Sequence, residues 1–225
     1  MFLSHKNKIM LFWIESTLLA FALLTSNNPN SSLKEASYAD KKNSLRIYVG
    51  YESRPLMSFV LLGDVRREYH HTSIKGFDFS RKIKNDYNNH PIDLSLRFSL
   101  IRYNEMSFQA DHNQANIFLM THYKTSYKNV PIRFFIGEGI SVSGKVPFVE
   151  GRETRRLSGR DSKIMNFLNI GFDFRLSDLT GRDSLRNIRL GLADSHRSGV
   201  FRKLKWFNNT QGGSDFVTLF LEYYF

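Results

Sequence analysis

The chain has no cysteine, comparatively few acidic residues, and no long apolar run beyond its amino terminus. The lack of cysteine excludes disulfide scaffolds, thiol catalysis, cysteine zinc sites and a lipoprotein anchor. The absence of long runs excludes a helical membrane span after residue 45, since such a span needs about 20 apolar residues. Because 32 Lys+Arg outnumber 21 Asp+Glu, the net charge is +11 and favours an anionic partner: nucleic acid, an acidic membrane surface or a phosphorylated glycolipid.

The chain is rich in apolar and aromatic residues. Of its 225 residues, 41% are hydrophobic and 14% aromatic, with 20 Phe and 10 Tyr, which excludes a disordered chain and fits one domain or one barrel. A basic start followed by an apolar run over residues 9–24 predicts a signal peptide at 1–26, cleaved as late as 39. A buried amphipathic helix is the alternative. A polar leader over 27–44 and a barrel over 45–225 complete the predicted organisation.

Beyond the leader, apolar and polar residues alternate with the period of two that is typical of strands with one buried face. The clearest predicted strands are Pro91 to Tyr103, Val130 to Val142, Lys163 to Leu176 and Arg186 to Ser198. Weaker ones are predicted at Tyr69 to Ser80 and Asn113 to Lys124, with an extended region from Leu45 to Gly63.

The last strand is the most informative. Its alternate positions form an unbroken apolar stripe ending at the terminal residue: Val217, Leu219, Leu221, Tyr223 and Phe225. This pattern resembles the carboxyl-terminal signature of bacterial outer-membrane β-barrels, although an edge strand of a soluble sandwich is an alternative.

Strands can cross hydrocarbon only as a closed barrel, because every backbone group must be paired within the protein. The sequence therefore predicts an all-β fold, an eight-stranded antiparallel transmembrane β-barrel in the bacterial outer membrane, exported by its signal peptide. Such a barrel is too narrow for a diffusion pore. Charged residues at the polar positions of the strands are expected to form ion pairs inside the barrel, where their role is structural. They are Arg97, Asp173, Arg175, Arg189 and Glu222.

With the carboxyl terminus on the periplasmic side, as in such barrels, the segments 143–162 and 199–214 become long external loops, and 125–129 and 177–185 become periplasmic turns. Both external loops are basic, which favours lipopolysaccharide phosphate as a partner, although the charges also suit plainly solvated loops. The candidate phosphate ligands are Arg155, Arg156, Arg202, Lys203 and Lys205.

A His-x-Ser motif stands beside one of these loops, and a carboxylate follows the loop. A serine nucleophile needs a general base and the base an orienting acid, roles that suit Ser198, His196 and Asp215. All three share the parity of nearby apolar residues and are predicted to point outward, towards lipid. The spacing alone is weak, since residues 71–73 supply a second copy, and a bulge would reverse the parity.

This constellation in a small barrel with an aromatic terminus resembles the lipid A 3-O-deacylases of the PagL type. The resemblance implies an eight-stranded barrel whose outward-facing Ser-His-Glu triad hydrolyses the ester-linked acyl chain at position 3 of lipid A. By position, Ser198 is the nucleophile, His196 the general base and Asp215 the orienting acid. The chain departs from the family in having Asp for Glu, a longer loop, and Gly199 where the family has an asparagine linked to the oxyanion hole.

Several alternatives stay open at this stage. A backbone N–H at Gly199 or beyond is the candidate oxyanion donor, and Asp194 or Glu138 could replace Asp215 as the acid. The leading hypothesis is an outer-membrane esterase that removes an acyl chain from lipid A, with no metal or cofactor. The alternatives are a non-enzymatic barrel that binds lipopolysaccharide or a host surface, and a secreted soluble sandwich. Nucleic acid is not an expected partner, because the chain is exported and lacks a phosphate-cradling glycine loop.

Overall fold

The computed structural model describes residues 41–54, 57–127, 130–200 and 204–225. The predicted signal peptide and almost all of the polar leader lie outside these residues.

In the described part of the chain, eight antiparallel strands pair in sequence order, and the last pairs with the first to close a barrel. Their bounds are β1 Asn43–Glu52, β2 Ser73–Lys84, β3 Ile92–Asn104, β4 His112–Tyr127, β5 Val130–Ser143, β6 Ile164–Arg175, β7 Ile188–Ser198 and β8 Gly213–Tyr224. The predicted fold class is confirmed.

Several predicted boundaries were wrong. The region from Leu45 to Gly63 was predicted to be extended, but its strand ends at Glu52 and a helix follows at Met57–Leu61. The barrel starts at Asn43, two residues before the predicted start at 45, because Asn43 already pairs with Arg81 and exchanges backbone hydrogen bonds with Phe225. Strand β2 starts at Ser73 and not at residue 69, because His71 adopts a left-handed backbone with φ of 58°, which a strand does not accommodate.

Short helices interrupt the connections between strands. Among the described residues they are α1 Met57–Leu61, α2 Phe148–Ser158 and α3 Leu176–Thr180, with 3₁₀ turns at Tyr87–Asn89, Asp183–Leu185 and Lys205–Phe207. No helix in this part of the chain is long and apolar enough to cross a membrane.

The two rims of the barrel differ. Asn43 and Tyr224 lie at one end, here called the terminal rim, while the connections that hold α1 and α2 lie at the opposite end, here called the loop rim. The segment predicted as the external loop 143–162 therefore contains a helix. No apolar stripe in the sequence reveals this helix, because its buried residues are Glu150, Gly151 and Thr154.

The outer wall of the barrel is apolar. Exposed apolar side chains alternate along the strands, including Leu45, Ile47, Val49, Phe77, Phe79, Leu96, Phe98, Ile117, Leu119, Val142, Leu192, Leu219 and Leu221. The interior is filled by aromatic and polar side chains, including Phe118, Met120, Phe135, Phe167 and Phe220 in one apolar cluster. An apolar wall around a polar and aromatic interior is the arrangement that a membrane barrel requires.

Buried ion pairs cross the interior as predicted. Glu222 is fully buried and accepts hydrogen bonds from Arg46 Nη2 at 2.9 Å and from Arg97 Nη2 at 2.5 Å. Asp173 is bound in the same way by Arg133 and Arg189. The Glu222 pairs join β8 to β1 and β3, which are distant in sequence, and the Asp173 pairs join β6 to its neighbours β5 and β7, so their role is to fix the barrel interior.

Glu222→Gln is expected to lower the free energy of unfolding by about 3–5 kcal/mol, because it leaves buried guanidinium groups without their shared counter-charge. Urea titration of the refolded protein in detergent, followed by heat-modifiable gel migration, measures the change. Asp183→Asn is the matched control, since its ion pair with Arg186 is exposed and exposed pairs contribute little. Equal unfolding midpoints for the two variants would contradict the structural role of Glu222.

Candidate functional site

Polar side chains break the apolar outer wall where β7 and β8 approach the loop rim. Along β7 the outward positions change from Leu192 to Asp194, His196 and Ser198, and along β8 they change from Val217 to Asp215. Ser198, His196 and Asp215 lie at outward positions of their strands, as their parity predicted. We call Asp194, His196, Ser198 and Asp215, with Asn166 of β6, the polar patch.

The pairing of β7 with β8 brings the histidine and the acid together. His196 lies directly opposite Asp215 in the ladder, and His196 Nδ1 lies 2.6 Å from Asp215 Oδ1. Because a carboxylate can only accept, Nδ1 donates in this contact, and in the neutral imidazole Nε2 is then the nitrogen with a lone pair. This is the tautomer that a general base needs.

Ser198 follows His196 by two residues on the same face and lies opposite Gly213 of β8 and Asn166 of β6. Among the described residues, the hydrogen bond of the His196 ring is made to Asp215 and not to Ser198. Serine–histidine contacts in hydrolases are often long before substrate binds, and here the two side chains lie two residues apart on the same face of β7.

Helix α2 covers the acid. Asp215 is only 7% exposed although its parity points outward, because α2 packs against β8 and brings Glu153 and Leu157 beside Gly212. Burial raises the pKa of the Glu153 carboxyl, and the nearby negative charge of Asp215 raises it further. The loop helix thus shields the acid–histidine pair from solvent, a contribution that alternation along the strands could not reveal.

The two alternative acids do not contact His196. Asp194 is outward and 4% exposed, and its carboxyl group interacts with that of Asp215 and not with the His196 ring. Glu138 lies on the same row of the sheet as His196, but Leu168 stands between them. The geometry therefore favours Asp215 as the orienting acid.

Gly199 does not offer a free oxyanion donor. Its backbone N–H donates to Gly212 O at 3.2 Å, in the turn that continues the β7–β8 pairing. A side chain there would collide with the backbone of Thr210, whose carbonyl oxygen would lie 2.1 Å from an added Cβ. This close approach explains the glycine, and any oxyanion donor must come from another residue.

The candidate phosphate ligands are dispersed. Arg155 is ion-paired with Asp161, Arg156 lies near Glu153, and Lys205 is exposed in a 3₁₀ turn. The remaining two, Arg202 and Lys203, lie outside the described residues. Among the described residues, no group of three or more His, Asp or Glu side chains could hold a metal ion.

Exposed apolar side chains flank the patch. Helix α1 lies close to β7, and it and the turn after it expose Phe59, Leu61 and Leu62. On the connection between β7 and β8, Trp206 is 82% exposed. Aromatic and apolar residues of this kind suit the boundary between water and lipid.

Fold and site together define a small closed antiparallel barrel that carries an acid–histidine pair on its outer wall. No protein-family model and no curated protein matches the chain. It is similar to the crystal structure of the outer membrane enzyme PagL, at 11% identity and a TM-score of 0.49, over 80% of this chain and 98% of that one. It is also similar to the N-terminal β-barrel domain of Pseudomonas aeruginosa OprF, at 12% identity and a TM-score of 0.46, over 82% of this chain and 98% of that one.

Proposed function

We propose that this barrel is an outer-membrane esterase that removes an ester-linked acyl chain from lipid A. The observation that carries the proposal is the 2.6 Å contact between His196 and Asp215 on the outer wall, two residues along β7 from Ser198. Polar groups are costly on a lipid-facing surface. The presence there of a buried carboxylate, a histidine and a serine therefore favours a functional role over a structural one. The sequence resemblance to lipid A 3-O-deacylases supplies the substrate class.

The chemistry is acyl transfer through a covalent intermediate. Ser198 Oγ attacks the ester carbonyl carbon while its proton passes to His196 Nε2, and Asp215 stabilises the imidazolium that forms. The tetrahedral intermediate collapses as the proton is delivered to the departing sugar oxygen, leaving the acyl group on Ser198. Water, deprotonated by His196, then hydrolyses that ester and releases the fatty acid.

The surroundings of the site suit a substrate that stays in the membrane. Apart from Glu138 and Asn166, the outward residues of β5 and β6 from the level of His196 up to Val142 and Ile164 are apolar, so acyl chains can lie against the barrel. Basic residues of the loops, Arg156 and Lys205 among them, stand at the loop rim where phosphates of a glycolipid headgroup would lie. The ester between chain and headgroup would then reach the polar patch.

The test is the mass of lipid A extracted from a Gram-negative host that expresses the full-length protein. We expect the loss of one acyl chain with the wild-type protein and an unchanged mass with Ser198→Ala at equal abundance in the outer membrane. Heat-modifiable migration in detergent gels verifies that both barrels are folded. Unchanged lipid A in the presence of folded wild-type protein would overturn the proposal.

That negative result would favour the second candidate, a non-enzymatic barrel that binds lipopolysaccharide or a host surface. Its supporting observation is the set of basic residues at the loop rim. Binding of this kind is expected to weaken with salt and in a variant with Arg156 and Lys205 neutralised. Arg155 is a poorer choice for neutralisation, since Asp161 already offsets its charge.

A further inference from the structure

A polar side chain stands directly beside the serine on the neighbouring strand. Asn166 of β6 is the ladder partner of Ser198 and lies on the same outward face of the sheet. Side chains directly opposite each other in an antiparallel pair have Cβ atoms roughly 4.5–5.5 Å apart. That separation leaves room for one carbonyl group between the amide of Asn166 and Oγ of Ser198.

Asn166 is a polar residue on an otherwise apolar face of β6, and a role in binding that carbonyl group would explain its presence there. The other outward residues of β6 are apolar: Ile164, Leu168, Ile170, Phe172 and Phe174. On its other side, Asn166 faces Ile140 of β5. An amide on a lipid-facing wall costs free energy when it lacks a partner. Among the described residues next to Asn166, along β6 and across to its two neighbouring strands, Ser198 is the polar one.

The proposed reaction also needs an oxyanion donor. A tetrahedral intermediate places negative charge on the former carbonyl oxygen, and hydrogen-bond donors aimed at it contribute a large part of catalysis. The N–H of Gly199, the residue after the nucleophile, is already bonded to Gly212 O. The side-chain amide of Asn166 is a hydrogen-bond donor, and Asn166 lies directly opposite Ser198 in the ladder.

We infer that Asn166 is a catalytic residue, whose Nδ2–H donates a hydrogen bond to the oxyanion formed when Ser198 attacks the ester. The inference rests on the proposed esterase function and adds to it a residue on a third strand. Neutral asparagine suits the role, since it can donate without bringing a negative charge to the intermediate. The site then spans β6, β7 and β8, with nucleophile and base on the middle strand.

The experiment compares purified Asn166→Ala, Asn166→Asp and wild-type protein in vesicles that contain lipopolysaccharide, with released fatty acid measured by mass spectrometry. We expect Asn166→Ala to lower kcat by a factor on the order of 10², with a smaller change in KM, as removal of one oxyanion donor does elsewhere. Asn166→Asp is expected to be at least as damaging, because a carboxylate repels the developing charge. Labelling of Ser198 by a fluorophosphonate, whose phosphoryl oxygen takes the place of the oxyanion, is expected to slow in parallel.

Asn113→Ala is the matched control, since Asn113 is also outward, near the loop rim, and bonded to Arg102 away from the patch. It is expected to leave kcat unchanged. If Ser198→Ala abolishes hydrolysis while Asn166→Ala stays within twofold of the wild type, the inference is wrong and the proposed function stands. If the folded wild-type protein releases no fatty acid, both are overturned.

Discussion

Ser198→Ala is expected to lower the rate of acyl-chain release by a factor on the order of 10⁵ to 10⁶, the scale seen when a serine hydrolase loses its nucleophile. The substitution removes one oxygen from a half-buried position on the outer wall and leaves the contact between His196 and Asp215 intact. Stability is therefore expected to be unaffected. The rate is measured with purified protein in lipopolysaccharide-containing vesicles.

Ser195→Ala supplies the control for this variant. Ser195 lies on the same strand but faces the interior, where its hydroxyl accepts a hydrogen bond from Asn169 Nδ2 at 2.9 Å. We expect a small loss of stability and no loss of activity. A rate for Ser198→Ala within tenfold of the wild type would show that the reaction uses another nucleophile.

Asp215→Asn is expected to lower the rate by a factor on the order of 10⁴, because an amide opposite Nδ1 permits the wrong histidine tautomer and cannot stabilise the imidazolium. The barrel itself should fold normally, since asparagine is isosteric with aspartate. The same vesicle assay measures the loss, and urea unfolding in detergent measures stability.

Glu138→Gln is the comparison for this second variant. Glu138 shares the row of His196 but is separated from it by Leu168, so we expect a rate within a few-fold of the wild type. Should Glu138→Gln or Asp194→Asn abolish activity while Asp215→Asn does not, the acid has been assigned to the wrong residue.

Alternation along the chain was enough to predict the barrel and the outward direction of the candidate residues. In β8 the apolar series from Val217 to Tyr223 shows which parity faces outward, and Asp215 extends the same parity. Since side chains in a strand alternate strictly between faces, one clear apolar stripe shows which face every residue of that strand occupies. The same reasoning placed Glu222 and Asp173 inside, among arginines.

What the sequence could not supply was the register between strands and the packing of the loops. Asn166 has the outward parity of Leu168 and Ile170, so a polar residue in that series was a visible signal. Its pairing with Ser198, however, depends on how β6 and β7 align. The burial of Asp215 depends on α2, whose contact residue Glu153 lies far away in the chain. The role of Gly199 was predicted wrongly, because the partner of its N–H belongs to the other end of a long connection.

The proposed catalytic face lies on the outer wall, on β6, β7 and β8, so the substrate concentration that would matter is the one within the membrane. Substrate would arrive by lateral diffusion in two dimensions, so turnover would follow the mole fraction of the glycolipid in the leaflet and fall when inert lipid dilutes it. The amount of substrate in the surrounding water would have no influence. Both products would stay in the same leaflet, and the rate at which they move away along the barrel would set how soon the next molecule can bind.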